Sequence, residues 1–186
     1  MAYLTDKELI DFGFKSLGKE VKISDKAAIY NAELISIGDY SRIDDFCVLS
    51  GHITIGRNVH LAPFCLVAGG IEGIVMEDFV GAAYHVQIFS QSDDYSGRTM
   101  TNPTVPYEFK NETKKAVHIG RHVILGASSI VFPGVTVSEG CSTGAFTLVN
   151  KTTEPWGIYI GNPAKRVKSR HKNLLELEKL YIGKTS

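Results

Sequence analysis

The chain has 186 residues, 44% hydrophobic and 22% charged, enough for one compact domain and too short for two ordinary ones. Lys plus Arg is 20 and Asp plus Glu is 20, so the formal net charge is +0 and nothing favours nucleic acid or an anionic membrane as the main partner. No apolar run is long enough to span a bilayer and the opening MAYLTDKELIDF lacks a signal-peptide stretch, which makes the cytoplasm the default compartment.

In residues 1–20, Thr5 and Glu8 have capping-box spacing and predict a short helix in TDKELIDFGF. A six-residue period then takes over. Ile23, Ile29, Ile35, then Ile37, Ile43, Leu49, Ile55, Leu61 and Val67 are branched aliphatics; Ser41, Cys47, Ile53, Val59 and Cys65 stand four places after the members of the second run. The register slips across GGIEG and resumes at Met76, Ala82 and Ile88. Residues 89–116 show no hexad and are polar, the mark of a long excursion, and a loop of that length in a compact domain is usually functional. The period returns at Ile119, Leu125, Val131, Val137, Thr143 and Val149. Residues 169–186 read as a C-terminal helix with Leu174, Leu175, Leu177 and Leu180 on it. Cys47, Cys65 and Cys141 all fall on the small-residue slot, so they are expected as buried small hydrophobes rather than disulfides or zinc ligands.

A strict period of six fits neither an α-helix nor an isolated amphipathic strand. It fits an all-β fold, a parallel β-helix in which short strands alternate with turns and stack coil on coil. Gly38, Gly56, Gly120, Gly126 and Gly144 follow the inward aliphatics and are expected at turns where φ becomes positive. The whole chain, 1–186, reads as one domain: an N-terminal cap over 1–20, a β-helix over 21–168 with the loop 89–116, and the C-terminal helix.

The segments IGDYSR, IGRNVH, IGRHVI, LGASSI, FPGVTV and IGNPAKRV resemble the hexapeptide-repeat acyltransferases, most of all the galactoside and maltose acetyltransferase group with its relatives in surface polysaccharide and lipopolysaccharide synthesis. The resemblance runs from about Ile23 to Lys168. It implies a left-handed coil, a homotrimer with active sites between adjacent prisms, and transfer of an acetyl group from acetyl-CoA to a sugar hydroxyl or amine, with no metal. The sugar would be nucleotide-linked, lipid-linked or a free glycoside.

In enzymes of this family the general base is a histidine near the start of the excursion; here Asp93, in QSDDYS, stands where that histidine would be. Three accounts stay open. Asp93 or Asp94 is the base, raised from the usual carboxylate pKa of about 3.9 by its neighbour and by burial. Alternatively His85, in AAYHVQ, acts from the preceding coil. Or neither is essential, because an amino-sugar acceptor is a good nucleophile once neutral and positioning carries the rate.

The resemblance places the backbone of Gly126, Ala127, Gly144 and Ala145 beside the pantetheine arm, with Lys151 near the nucleotide end. Lys165, Arg166 and Lys168 would meet the phosphates of coenzyme A. Trp156 is a plug at the end of the coil or a neighbour of adenine. Tyr84, Tyr95, Asp44 and Asp45 are candidates to face the sugar. Two further readings compete. One is a carbonic-anhydrase-like zinc site using His118 and His122, which four strand residues hold about 13 Å apart. The other is a non-catalytic scaffold.

Overall fold

The computed structural model describes residues 2–185. One aliphatic every six residues gives a strand, a corner and the next strand, so three repeats close a coil and each residue lands on its counterpart one coil away. Ile37 stacks in this way on Ile55, Ile55 on Met76, Met76 on Ile119, and Ile119 on Val137. A second inward ladder is Ile43, Leu61, Ala82 and Leu125, and a third is Leu49, Val67, Ile88, Val131 and Val149. Every one of these side chains is at most 2% exposed. Burying each Ile, Leu or Val contributes about 1.5–3 kcal/mol, which makes the three ladders the dominant stabilising feature. All three cysteines lie in this interior as free thiols.

The ladders define a three-faced parallel β-solenoid of about seven coils. The first face runs from Lys22–Ile23 through Arg42–Ile43, His60–Leu61, Gly81–Ala82, Ile124–Leu125 and Ser142–Thr143 to Gly157–Ile160. The other two faces share one sheet, because the long strands Val48–Ile55 and Leu66–Met76 bend round a corner. Already Ser16–Leu17 pairs in parallel with Ser36 and Ile37. Helix α1, Asp6–Asp11, covers the N-terminal end with Leu9 buried, and its capping box forms as expected, with Thr5 and Glu8 each bonding the other's backbone.

The hexad glycines turn out to serve contact rather than conformation. None of Gly38, Gly56, Gly120, Gly126 and Gly144 has positive φ; a Cβ on Gly38 would lie 2.6 Å from the Gly56 carbonyl carbon, and one on Gly126 2.5 Å from that of Gly144. Coils approach too closely there for any side chain. The left-handed conformation falls two residues later, on Tyr40, Asn58, His122, Ser128 and Phe146. Their N–H groups reach the coil before, as Asn58 does to the Asp39 carbonyl at 2.8 Å and Phe146 to that of Ala127 at 2.8 Å.

The expected C-terminal helix, read over 169–186, starts at its first leucine, Leu174, rather than at Ser169. Lys165–Ser169 is a strand, antiparallel to Gly157–Ile160, and helix α2 spans Leu174–Thr185. The exposed strand has no inward aliphatic ladder to announce it. Trp156 closes this end: it is 8% exposed and its ring fills the notch that Gly140 leaves, with Lys172 Nζ 5.3 Å above it. Helix α2 then straps the corner formed by Asn58, Phe79 and His122. Asn58 Nδ2 donates to the Tyr181 hydroxyl at 3.0 Å, Tyr181 meets Phe79 edge-on, and Glu178 holds both Arg121 and His122.

Two stability experiments follow from this packing. Gly38→Ala forces a methyl group into backbone and is expected to cost about 1–3 kcal/mol, read as a lower urea midpoint. Burial, with Arg121 alongside, pushes the His122 imidazole below the ordinary histidine range. Its Nε2–H therefore donates to Glu178 from the neutral ring, at 2.8 Å. The unfolded chain binds the proton more readily, so this contribution is complete above about pH 6.5 and shrinks as the pH falls below that value. Wild type should lose more stability between pH 7.5 and pH 5.5 than His122→Gln does.

Candidate active site

The excursion leaves the solenoid after Phe89 and rejoins it at Val117. Its two ends are tied by a short antiparallel pairing, Gln91 with Lys114 and Ser92 with Thr113. Beyond this tie the loop folds over the outer surface of the coils and encloses a cleft of about 720 Å³. The floor is Ser50, Ala68, Gly70, Phe89, Phe132 and Pro133, from neighbouring coils; the loop adds Gln91, Ser92, Asp93, Tyr95, Pro103 and Glu112. An apolar floor with a few converging polar groups is the usual composition of a small-molecule site.

The two adjacent aspartates differ. Asp94 is consumed by its own turn: Oδ1 accepts from the Ser96 N–H at 2.8 Å, and Oδ2 from the hydroxyls of Ser96 at 2.9 Å and Thr99 at 3.1 Å. These bonds, those from Ser96 first, hold its carboxyl below the usual range. Asp93 lines the cleft and accepts one long bond, from the Asn102 N–H at 3.4 Å. Asp93 is thus the carboxylate with lone pairs to spare.

His85 sits elsewhere. Its ring stacks on Phe64 at 4.8 Å, in a column of corner residues that also contains Phe46, and Gln87–Phe89 separates it from Asp93. His85 is not among the residues that line the cleft of Asp93. Tyr84 lies beside His85 and is 59% exposed, whereas Tyr95, 89% exposed, borders the cleft.

Asp44 faces no open surface. Only 2% exposed, it is gripped by Arg42 at 3.0 Å and by His60 at 2.8 Å, and Asp45 bonds Ser24 and Lys26. Arg42 and His60 border a separate cleft of about 620 Å³ on the first face, with Tyr40 and Asn58, and none of the excursion reaches it. His118 and His122 are each tied to a carboxylate of their own, Glu77 at 2.7 Å and Glu178 at 2.8 Å. Among the described residues no three histidine, cysteine or carboxylate side chains converge as a metal site.

Four backbone positions were expected beside the pantetheine arm, and the structure divides them. The Gly126 N–H is taken by Thr143 Oγ1 at 2.9 Å and the Gly144 N–H by the Tyr159 carbonyl at 2.8 Å. Those of Ala127 and Ala145, one residue on, have no partner among the described residues. Lys151 is exposed near the C-terminal end of the solenoid, and Lys165, Arg166 and Lys168 lie on the exposed strand beyond it.

Sequence reasoning missed Lys110 and Glu112, which form the polar wall of the excursion. Glu112 accepts from Lys110 Nζ at 2.9 Å, Lys114 Nζ at 3.0 Å and Gln91 Nε2 at 2.9 Å. The lysines, Lys110 first, hold its carboxyl below the usual range. The only signal was the mixed charge of KNETKK, since no periodicity marks this stretch.

Comparison with known proteins agrees with this architecture. A family model described as bacterial transferase hexapeptide (six repeats) matches residues 35–69. The chain is 43% identical over 184 residues to the dTDP-4-amino-4,6-dideoxy-D-glucose acyltransferase of Escherichia coli, covering 97% of this chain and 95% of that one. It is 32% identical over 136 residues to a probable macrolide acetyltransferase of Lysinibacillus sphaericus, 67% of this chain and 69% of the relative. Among solved structures it matches AntD, an N-acyltransferase from Bacillus cereus in complex with dTDP and 3-hydroxybutyryl-CoA, with TM-score 0.97 and 41% identity over 98% of this chain and 97% of that one. A maltose O-acetyltransferase from Clostridium difficile 630 shares the fold at TM-score 0.60 and 21% identity, over 91% of this chain and 79% of that one. With its stacked hexads, its loop-covered cleft and a relative this similar along nearly its whole length, the chain belongs to the hexapeptide-repeat family of coenzyme A-dependent sugar acyltransferases.

Proposed function

We propose that this enzyme transfers an acyl group from a coenzyme A thioester to the amino group of a nucleotide-linked amino sugar, with Asp93 as the proton acceptor. The observation that carries this reading is the half-buried Asp93 carboxylate, with a single long hydrogen bond, on the wall of the cleft. The relatives point the same way: the Escherichia coli protein is named for a dTDP-linked 4-amino sugar, and AntD is an N-acyltransferase crystallised with dTDP.

The step is an acyl exchange. The amine nitrogen attacks the thioester carbonyl carbon, a C–N bond forms and the C–S bond breaks. One proton leaves the nitrogen for Asp93, and the departing sulfur takes up one proton to give free coenzyme A. A nitrogen that has attacked a carbonyl is acidic enough for a carboxylate to deprotonate; a sugar hydroxyl is not, and asks for a stronger base. The Ala127 and Ala145 N–H groups suit the amides of pantetheine. Lys151, Lys165, Arg166 and Lys168 suit its phosphates, and Tyr95 borders the acceptor. In this reading residues 1–186 are one domain, three copies assemble with a site at each junction, the work is done in the cytoplasm, and the product feeds a surface polysaccharide.

Asp93→Asn should lower kcat on the order of 10²–10⁴-fold while acyl-CoA binding by calorimetry stays unchanged. Wild type should acylate a dTDP-linked 4-amino sugar and leave its 4-hydroxy counterpart untouched. Wild-type turnover in Asp93→Asn, or preference for the hydroxyl sugar, refutes the assignment. Replacing Lys165 and Arg166 together by Ala should weaken coenzyme A more than dephospho-coenzyme A; equal weakening removes the assignment to the 3′-phosphate.

A further inference from the structure

The excursion contributes nothing to the hydrophobic core, since no residue from 91 to 116 is buried as a whole. It nevertheless withdraws three charges from water: the side chains of Lys110, Glu112 and Lys114 are 8%, 10% and 24% exposed. Desolvating a lysine and a carboxylate is costly, and buried ion pairs are weak sources of net stability. Their best-attested use is to select one conformation from several.

The contacts close into a ring around Asp93. Asp93 Oδ1 accepts from the Asn102 N–H at 3.4 Å, and the Asn102 carbonyl accepts from Lys110 Nζ at 3.1 Å. Lys110 Nζ also donates to Glu112 Oε1 at 2.9 Å, and Glu112 Oε2 accepts from Gln91 Nε2 at 2.9 Å. Gln91 lies two residues before Asp93, so the circuit returns to its start. Lys114 locks the same carboxylate from the returning strand, where its backbone already pairs with Gln91. Both oxygens of Glu112 are engaged in the ring, whereas Asp93 faces the cleft with most of its lone pairs open.

We propose that the Lys110–Glu112 pair is the positioning element of the reaction: it fixes the loop segment at Asn102 and Gln91 and thereby sets where the Asp93 carboxylate meets the amine. This rests on Asp93 as the proton acceptor. Lys110 does not line the cleft, and both oxygens of Glu112 are taken by Lys110, Lys114 and Gln91, so in this proposal both act through Asp93. A carboxylate displaced by about 1 Å loses on the order of 10²-fold in rate, so a brace of this kind governs kcat without being a catalytic residue.

The test is a double-mutant cycle on the full-length enzyme with acyl-CoA and a dTDP-linked 4-amino sugar. Glu112→Gln and Lys110→Met should each lower kcat on the order of 10–100-fold and leave KM for acyl-CoA within about twofold. Lys110→Arg, which keeps the cation and its donors, should restore most of the rate. In the background of Asp93→Asn, adding Glu112→Gln should cost almost nothing further, because the group it positions has gone. A purely structural pair would lower the thermal midpoint without changing kcat at temperatures where the protein is folded. That result, or a Glu112→Gln deficit that adds in full to that of Asp93→Asn, overturns the proposal while leaving Asp93 as the base. Wild-type turnover in Asp93→Asn alone removes the underlying assignment instead. Circular dichroism and the thermal midpoint verify that each variant is folded at the assay temperature.

Discussion

Coil-to-coil register is the constraint on which the rest of the molecule depends. Every strand takes its hydrogen bonds from the coils above and below, so a residue is held beside its counterpart about 4.8 Å away. The interior therefore repeats one environment, and one kind of residue recurs at each inward slot. The same spacing excludes a side chain where backbones meet, as between Gly38 and Gly56. It also forces the left-handed conformation onto residues that ordinarily avoid it. Thirteen non-glycine residues among those described have positive φ, including Phe64, Phe79 and Trp156. Each such residue costs about 1–2 kcal/mol in isolation. The corner N–H groups offset part of that cost by bonding to the preceding coil, and the exposed rings of Phe46, Phe64 and His85 recover more by stacking.

Register also explains how a long loop can be inserted without harm. The chain leaves after Phe89, and Val117 re-enters opposite Ile74, where an uninterrupted coil would have placed it. Ile88 still pairs with Val67 on one side and Val131 on the other. The stack does not sense what happens between exit and return. Such a loop is free of the sixfold pattern and must specify its own shape. With no core to bury, it does so through polar contacts: the Lys110–Glu112–Lys114 cluster, the Gln91 amide and the self-capping turn of Asp94.

This division settles what the amino-acid sequence could disclose. Ile37, Leu49 and Leu61 could be assigned to the interior because the environment of each is copied in every coil. The hexad glycines were noticed for the right positions and the wrong reason, since a letter in the sequence does not distinguish a conformational demand from a steric one. Residues 165–168 fell inside the span read as β-helix, but the antiparallel direction of Lys165–Ser169 had no signal because the strand is exposed along its length. Of the cleft residues, Asp93 stood out through its place in a family pattern and Tyr95 as a candidate to face the sugar; Asp94 stayed open as a base beside Asp93 until its Ser96 and Thr99 contacts showed it held in its own turn. Gln91 lies 21 residues before Glu112, and none of Gln91, Lys110 and Glu112 follows a period, so their association is a property of the folded loop alone.

With Asp93 as the proposed proton acceptor, the replacement of an imidazole by a carboxylate becomes a chemical statement about the acceptor. Histidine matches a sugar hydroxyl because its pKa lies near neutrality, where it is both substantially unprotonated and strong enough to share a proton in the transition state. A carboxylate is a weaker base; Asp93 is half-buried, and its nearest acidic neighbour points into its own turn. Such a group serves a nucleophile that attacks without prior deprotonation and sheds its proton afterwards. An amine does this and a hydroxyl does not. Accurate placement then matters more than base strength, which is the role proposed for the loop braced by Lys110 and Glu112.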